Sequence, residues 1–143
     1  MRVKAPPQTR GISPTRSALM ARIRAKDTKP EMVVRSAAHR LGFRFRLHRR
    51  DLPGTPDLVF PKAKKVIFVH GCFWHRHEGC VRTTTPKTRF NFWNEKFERN
   101  RERDRSSLRK LRRAGWKCLV VWECQTFDQK KLASRLKAFL GQP

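Results

Sequence analysis

The chain has 143 residues, of which 35 are Lys or Arg and 11 are Asp or Glu, so its formal net charge at pH 7 is +24. This length predicts a single domain with its own core, and positive charge spread along the chain predicts a polyanionic partner, either nucleic acid or an anionic membrane. No apolar run approaches the roughly 18 residues of a membrane span, and the N-terminus lacks the apolar core of a signal peptide. These features exclude a membrane-spanning protein and favour a cytoplasmic protein of bacterial type.

The N-terminal part of the chain is predicted to be an arm followed by two helices. Residues 1–12 contain paired prolines and a glycine and are expected to form a flexible basic arm, which leaves residues 13–143 for the folded domain. A first helix is predicted to begin at Ser13-Pro14. A second is predicted to begin after Asp27-Thr28 and to end at Gly42, because apolar residues recur there at helical spacing.

The remaining elements alternate between strands and helices. Residues 43–48 alternate between apolar and polar side chains, which is typical of a half-buried strand. Three apolar runs predict further strands and two amphipathic segments predict helices; the strands are 57–60, 65–70 and 116–122, and the helices are about 91–113 and 128–140. The order of these elements predicts an α/β fold in which helices flank a central mixed sheet.

The segment from His70 to Cys80 concentrates reactive side chains. Its eleven residues include two thiols, three imidazoles and two large aromatic rings. These groups suit a metal site, an acid–base site and a surface that stacks on bases. In a short and very basic chain, this combination indicates chemistry on nucleic acid.

The spacing of cysteine and histidine in this segment predicts a metal site. Three ligands lie within nine residues, and a cysteine just after the last strand would complete a tetrahedral zinc site; the set is Cys72, His77, Cys80 and Cys124. Spacing alone leaves two alternatives open, with His75 in place of His77 and Cys118 in place of Cys124. Disulfide bonds are disfavoured because the compartment expected for this chain is reducing.

A carboxylate opens the second predicted strand. Asp57 follows Pro56 and stands thirteen residues before His70, at the end of the next strand. A hard cation such as Mg²⁺ requires oxygen ligands, commonly one or two carboxylates together with substrate phosphate. The same Pro-Asp pair also makes an ordinary turn, so the pair by itself decides nothing.

Five motifs connect these features: Leu52-Pro-Gly-x-Pro-Asp57, Val66-Ile-Phe-x-His-Gly-Cys-Phe-Trp-His75, Arg101-x-Arg-Asp104, Gly115-Trp116 and Val121-Trp-Glu-Cys124. With these motifs, in order and at matching separations, the chain resembles the very short patch repair (Vsr-type) DNA mismatch endonucleases. The resemblance implies a restriction-endonuclease-like fold with a structural zinc site and a Mg²⁺-dependent enzyme. The implied substrate is duplex DNA with a T:G mismatch left by deamination of 5-methylcytosine, which is nicked on the 5′ side of the mispaired thymine.

The resemblance also implies how the catalytic metal is held. Asp57 matches the family's metal-binding catalytic aspartate, and Val69 matches a position that binds Mg²⁺ through its backbone carbonyl. The family often has Thr at this second position, and a carbonyl ligand survives the change to Val. Glu31 matches an acid near the metal-bound water, although Thr28-Lys-Pro-Glu31 is also a helix capping box.

Two histidines match the family's active-site pair. His70 and His75 would serve proton transfer or water positioning, for which a near-neutral pKa is suited. Asp104 matches an acid that polarises this pair, although among neighbouring arginines it also reads as a helix salt bridge. For zinc, the resemblance selects His77 and Cys124, which leaves His75 for chemistry. This chain has one more residue between the two cysteines of the segment than the family form.

Aromatic and basic residues are expected to bind DNA. Phe73, Trp74 and Trp93 are flanked by polar and basic residues, and the resemblance implies that they form a wedge between base steps. Packing in a core is the ordinary alternative for such residues. Residues 96–113 would supply phosphate contacts, although some of their charges only solvate the helix.

Three functions therefore compete at this stage. The first is a Vsr-type mismatch nickase, a monomer that binds T:G DNA, associates with the nucleoid when bound to DNA and contacts mismatch-repair proteins. The second is another nuclease on the same fold, and the third is a non-catalytic, zinc-stabilised nucleic-acid-binding module. The presence of Asp57, His70, His75 and Asp104 argues against the third, because binding alone requires none of them.

Overall fold

The computed structural model describes residues 27–142 and shows a mixed α/β arrangement. The predicted arm at residues 1–12 and the predicted helix from Ser13 lie outside the described residues. The elements in chain order are α1 Lys29–Arg40, β1 Arg46–Leu47, β2 Leu58–Phe60, β3 Lys65–His70, α2 Phe90–Arg113, β4 Lys117–Trp122 and α3 Gln129–Leu140. Short 3-10 turns occupy Pro61–Ala63 and Glu123–Thr126.

The predicted mixed sheet is confirmed. Its strands lie in the order β1-β2-β3-β4, with antiparallel pairing between β1 and β2 and between β2 and β3. β3 and β4 are parallel, so the chain crosses over between them through α2, as a parallel pair requires. The register places His70 opposite Trp122, so β3 and β4 end together at one edge of the sheet.

The first strand is shorter than predicted. Only Arg46–Leu47 pairs with β2, whereas alternation predicted a strand over residues 43–48. The amide of Phe43 donates instead to the carbonyl of Ala38 and so completes the end of α1. His48 has a φ of +47°, which extended backbone does not adopt, and this residue ends the strand.

Two apolar clusters cover the opposite faces of the sheet. On one face α1 and α3 pack against Leu58, Ile67 and Val121. On the other face Leu111 of α2 packs against Val59, Val66 and Phe68. Because adjacent strand residues point to opposite faces, β3 is buried on both sides, which accounts for its nearly continuous apolar sequence.

The helix ends follow signals that the sequence carries. Thr28 caps α1 by accepting a hydrogen bond from the Glu31 amide, and Asp128 caps α3 by accepting one from the Lys131 amide at 3.1 Å. Gly115 follows α2 with a positive φ of 89°. None of the helices in the described part of the chain is long and apolar enough to cross a bilayer.

The turn before β2 lies directly against α2. Gly54 in this turn has a φ of +74°, and a Cβ at this position would lie 2.8 Å from Cβ of Ser107 and 3.1 Å from the Phe68 ring. Glycine therefore meets two requirements here, a left-handed backbone conformation and close approach to a helix. The contact fixes the loop that leads into Asp57.

We expect Gly54→Ala to lower the free energy of unfolding by roughly 2 kcal/mol or more, since left-handed strain and overpacking each cost about 1–3 kcal/mol. Gly141→Ala is the matched control, because Gly141 has a φ of +77° with nothing within 4 Å of the added Cβ. Chemical denaturation of both variants separates backbone strain from collision with α2. Equal losses in the two variants would contradict the close packing of this turn.

Candidate active site and metal group

A cavity of about 690 Å³ opens where β3 ends. Its wall is formed by the start of α1, the turn before β2, the end of β3 and one face of α2. The lining includes all five acidic and histidine side chains that the sequence singled out for catalysis: Glu31, Asp57, His70, His75 and Asp104. Residues from distant parts of the chain thus converge on one concave surface, as expected of an active site.

Asp57 is fixed to the central strand by its own side chain. Its Oδ2 accepts a hydrogen bond from the Val69 amide at 2.7 Å. Burial raises the pKa of Asp57 to about 7, the Val69 amide opposes this rise, and the nearby Glu31 carboxylate adds to it. Two carboxylates that face each other in a cavity form a donor set that suits a hard divalent cation, since such a cation removes their repulsion.

Glu31 belongs both to the start of α1 and to the cavity, so its contacts at the helix start leave it a place beside Asp57. Its side chain is only 2% exposed. Oε1 accepts from the Asp27 amide at 3.2 Å, and Oε2 accepts from the Arg35 guanidinium. The same Oε2 lies 2.7 Å from Nε2 of His48, which also lines the cavity.

His48 is a cavity residue that the sequence analysis missed. Alternation in the sequence predicts it only as the end of a strand, although its place just before the turn that leads to Asp57 is a signal for the cavity. Its Nε2 lies 3.9 Å from Oδ1 of Asp57, so it stands beside both carboxylates.

His70 and His75 form a stacked pair. Their ring centroids lie 3.8 Å apart with an interplanar angle of 6°. Burial, assisted by the neighbouring His75, lowers the pKa of His70 to about 3, so His70 is neutral at pH 7. Nδ1 of His75 lies 2.6 Å from Oδ2 of Asp104. Because an ionised carboxylate only accepts hydrogen bonds, Nδ1 of His75 donates and its Nε2 is left for another partner.

The predicted zinc ligands lie together beside the edge of the sheet. One ligand atom from each residue lies within 4.8 Å of the others in the group Cys72, His77, Cys80 and Cys124. Nδ1 of His77 is 3.7 Å from Sγ of Cys72 and 3.5 Å from Sγ of Cys124. Tetrahedral zinc with Zn–S bonds of about 2.3 Å and Zn–N bonds of about 2.0–2.1 Å separates its ligand atoms by similar distances. We call these four residues the metal group.

Neither alternative ligand belongs to the metal group. Cys118 is partly buried and packs against the apolar cluster under α2, as a small apolar side chain does. His75 faces His70 and Asp104 instead. Burial raises the pKa of the Cys72 thiol to about 12, so the thiolate that a metal requires forms there only when a cation compensates its charge.

The predicted wedge residues pack against one another. Trp74 is 3% exposed and Trp93 is 5% exposed, and both pack with Phe97 and the partly buried Phe73. The structure therefore shows the two tryptophans packed in a core, with the ring centroids of Trp74 and Trp93 5.8 Å apart. Insertion into DNA stays a prediction and requires this aromatic cluster to open. Phe90 and Phe92, in the first turn of α2, are exposed aromatic residues nearby in sequence, at 53% and 39%.

The basic helix α2 contributes to the cavity and to the surface beyond it. Arg103 and Asn100 line the cavity beside Asp104. Other arginines are paired along the helix, Arg101 with Glu98 at 3.3 Å and Arg105 with Glu102 at 2.8 Å. These ion pairs agree with the prediction that only some of the basic side chains of α2 are available to contact phosphate.

Comparison with known proteins places these residues in a family context. The family model of the DNA mismatch endonuclease Vsr matches residues 12–82. The type II nicking enzyme V.XorIIP of Xanthomonas oryzae pv. oryzae is 50% identical over 130 residues, which cover 90% of this chain and 95% of the relative. The type II nicking enzyme V.NmeAIP of Neisseria meningitidis is 41% identical over 127 residues, 89% and 90% of the two chains. The DNA mismatch endonuclease Vsr of Escherichia coli is 43% identical over 118 residues, 82% and 75%.

We expect Cys72→Ala and Cys124→Ala to lose bound metal and thermal stability together, since a structural metal contributes folding energy. Cys118→Ala is the matched control, because it removes a thiol outside the metal group and should keep the metal. Metal content by mass spectrometry and Tm of the same preparations test this expectation. A Cys124→Ala variant that lacks metal yet melts with the parent would contradict it.

A pH dependence follows from the raised pKa of Asp57. The ordinary pKa of about 3.9 applies to the unfolded chain and a value of about 7 to the folded chain, so the folded chain binds the proton more tightly. Without added Mg²⁺, this group therefore lowers stability as pH rises from about 4 to 7. Asp57→Asn should raise the free energy of unfolding at pH 8 by about 1–3 kcal/mol relative to the parent and should have little effect at pH 4.

Denaturation with urea at pH 4 and pH 8 measures this difference. Asp51→Asn is the control, because Asp51 is exposed and its pKa is lowered by Arg49 rather than raised. An Asp57→Asn variant that is less stable than the parent at pH 8 would show that Asp57 is ionised without strain in the folded chain.

Proposed function

Because the chain belongs to the Vsr family of DNA endonucleases, we propose that it nicks duplex DNA on the 5′ side of the thymine in a T:G mismatch, by Mg²⁺-dependent hydrolysis of one phosphodiester bond. The observation that supports this function best is the single cavity shared by Asp57, Glu31, the stacked histidines and Asp104. A module that only binds DNA has no need for this arrangement.

The donor set of the cavity fits Mg²⁺. Asp57 would hold the ion through its carboxylate and Val69 through its backbone carbonyl, with Glu31 as the second carboxylate nearby. The raised pKa of Asp57 supports this assignment, because a carboxylate that burial disfavours gains most from a cation. When bound, Mg²⁺ supplies charge that stabilises the transition state at the scissile phosphate and lowers the pKa of water.

The histidine pair would handle the protons of hydrolysis. A water oxygen forms a bond to phosphorus, the P–O3′ bond breaks, and the products are a 3′ hydroxyl and a 5′ phosphate. The attacking water loses a proton, which Nε2 of His75 can accept, since Asp104 at Nδ1 stabilises the resulting imidazolium. His70, kept neutral by burial, orients the ring of His75 by stacking on it. The departing O3′ takes its proton from solvent or from this pair.

Affinity for DNA would rest on charge, and preference for the mismatch on the aromatic cluster. Lys29, Arg50 and Arg103 line the cavity and can contact phosphates on either side of the scissile bond. A mismatched pair opens at lower cost than a matched pair, so insertion of Phe73, Trp74 or Trp93 would favour T:G sites. The same proposal includes the finer features implied by the family: a restriction-endonuclease-like fold, one domain at residues 13–143, zinc in the metal group and action as a monomer that contacts mismatch-repair proteins.

Single-turnover nicking of a T:G duplex tests the proposal. The parent should nick T:G DNA only with Mg²⁺, and should nick a T:A duplex and a four-way junction far more slowly. Asp57→Ala should abolish nicking, and His75→Ala should reduce it by about 10²–10⁴-fold, the usual contribution of a proton-transfer group. DNA affinity should survive both changes, because it rests on basic residues.

Asp51→Ala is the matched control for Asp57→Ala, since both residues lie in the same loop region and the ion pair of Asp51 within residues 27–142 is with Arg49, two residues away. This variant should nick at the parental rate. If Asp57→Ala nicks T:G DNA within a few-fold of the parent, the active-site assignment is wrong. If the junction is cut as fast as the mismatch, the substrate is wrong although the nuclease assignment stands.

A further inference from the structure

We infer that His48 is a positioning residue, which holds Glu31 against Asp57 by donating its Nε2–H to the Glu31 carboxylate. This inference rests on the proposed function, because it concerns the same cavity. His48 belongs neither to the cap of α1 nor to the pair of His70 and His75, so neither of these explains its position in the cavity.

The contacts of Glu31 show what His48 adds. The Asp27 amide lies just before α1, and Arg35 lies one turn after Glu31 in α1. Both partners therefore belong to the same segment of the chain as Glu31. His48 directly follows β1, and its Nε2 lies 2.7 Å from Oε2 of Glu31. This hydrogen bond connects α1 to the strands that position Asp57, and unlike the hydrogen bond between Glu31 and Asp57 it does not require a proton on Asp57.

The backbone of His48 is hydrogen-bonded to the backbone of Asp57. Its amide donates to the Asp57 carbonyl at 3.3 Å, one step beyond the ladder between β1 and β2. Its Nε2 lies 3.9 Å from Oδ1 of Asp57. The side chain that contacts Glu31 thus comes from a residue whose main chain is tied to the catalytic aspartate, and the distance between the two carboxylates follows from this pair of contacts.

Glu31 and Asp57 attract each other only while Asp57 carries a proton, which its side chain then shares with Glu31 in a hydrogen bond. Their contact is repulsive when both are ionised, as the effect of Glu31 on the pKa of Asp57 shows. Arg35 also binds Asp27, so its pull on Glu31 is directed toward the start of α1. Without a donor on the sheet, we expect the Glu31 carboxylate to turn toward Arg35 and away from Asp57. Both the neutral Nε2–H form and the imidazolium of His48 donate this hydrogen bond, so the positioning effect does not depend on its charge.

The loss expected from removing His48 is a loss of rate rather than of affinity. Groups that orient a metal-binding residue typically contribute about 10–100-fold to activity. We therefore expect His48→Ala to slow single-turnover nicking of T:G DNA by about 10–100-fold, with an unchanged Kd for the same duplex. His48→Gln retains an N–H donor of similar reach and should recover most of the rate. His39→Ala, a change of an exposed histidine in α1, should nick at the parental rate.

A double-mutant cycle shows whether His48 acts through Glu31. In a Glu31→Ala background, His48→Ala should slow nicking by no more than about 3-fold, since contacting residues that act as a unit are not additive. A full further loss in that background, parental activity of His48→Ala, or equal loss in His48→Ala and His48→Gln would each overturn the inference. Asp57→Ala, measured in parallel, separates this outcome from failure of the proposed function, because an active Asp57→Ala enzyme would refute the site itself.

Discussion

β3 lies between β2 and β4, and the position of each reactive group depends on where this strand ends. Its pairing with β2 brings the Val69 amide to the Asp57 carboxylate, and its pairing with β4 brings His70 opposite Trp122. Because both faces of β3 are covered by apolar clusters, the strand cannot slip by one residue without exposing its core side chains. Core packing therefore fixes the position of β3. The reactive residues at its end take their positions in the cavity from this strand.

Charge is distributed in two opposing ways. The chain as a whole carries +24 and attracts phosphate from a distance, whereas the cavity itself contains the buried carboxylate of Glu31 and the half-buried carboxylate of Asp57. In the proposed mechanism these carboxylates repel the scissile phosphate until a divalent cation stands between them. Binding and cleavage then depend on different charges, so an enzyme of this design holds DNA without cutting it when the cation is absent.

Periodicity predicted the helices α1 to α3, the strands β2 to β4 and the mixed sheet, because burial of an apolar face is a local property of the sequence. The same reasoning overestimated β1, since alternation reports which side chains are buried and not where hydrogen-bonded pairing stops. Family motifs identified the residues that meet in the cavity. They did not identify His48, because its contact with Glu31 joins elements seventeen residues apart. Flanking polar residues suggested that Trp74 and Trp93 were available to DNA, but a long helix brings the two rings together.

The metal group and the histidine pair are not independent, because Trp122 contacts both. The His77 ring stacks on Trp122 at a centroid distance of 4.3 Å and an interplanar angle of 8°. His70 meets the same indole edge-on at 5.3 Å and stacks on His75 on its other side. A continuous series of ring contacts thus leads from His77 of the metal group to Asp104. His75 and His77 are also two residues apart, and their amides donate to the carbonyls of Gly71 and Cys72. A bound metal would fix His77, and through Trp122 and this short segment it would fix the orientation of His75, the histidine proposed to accept the proton.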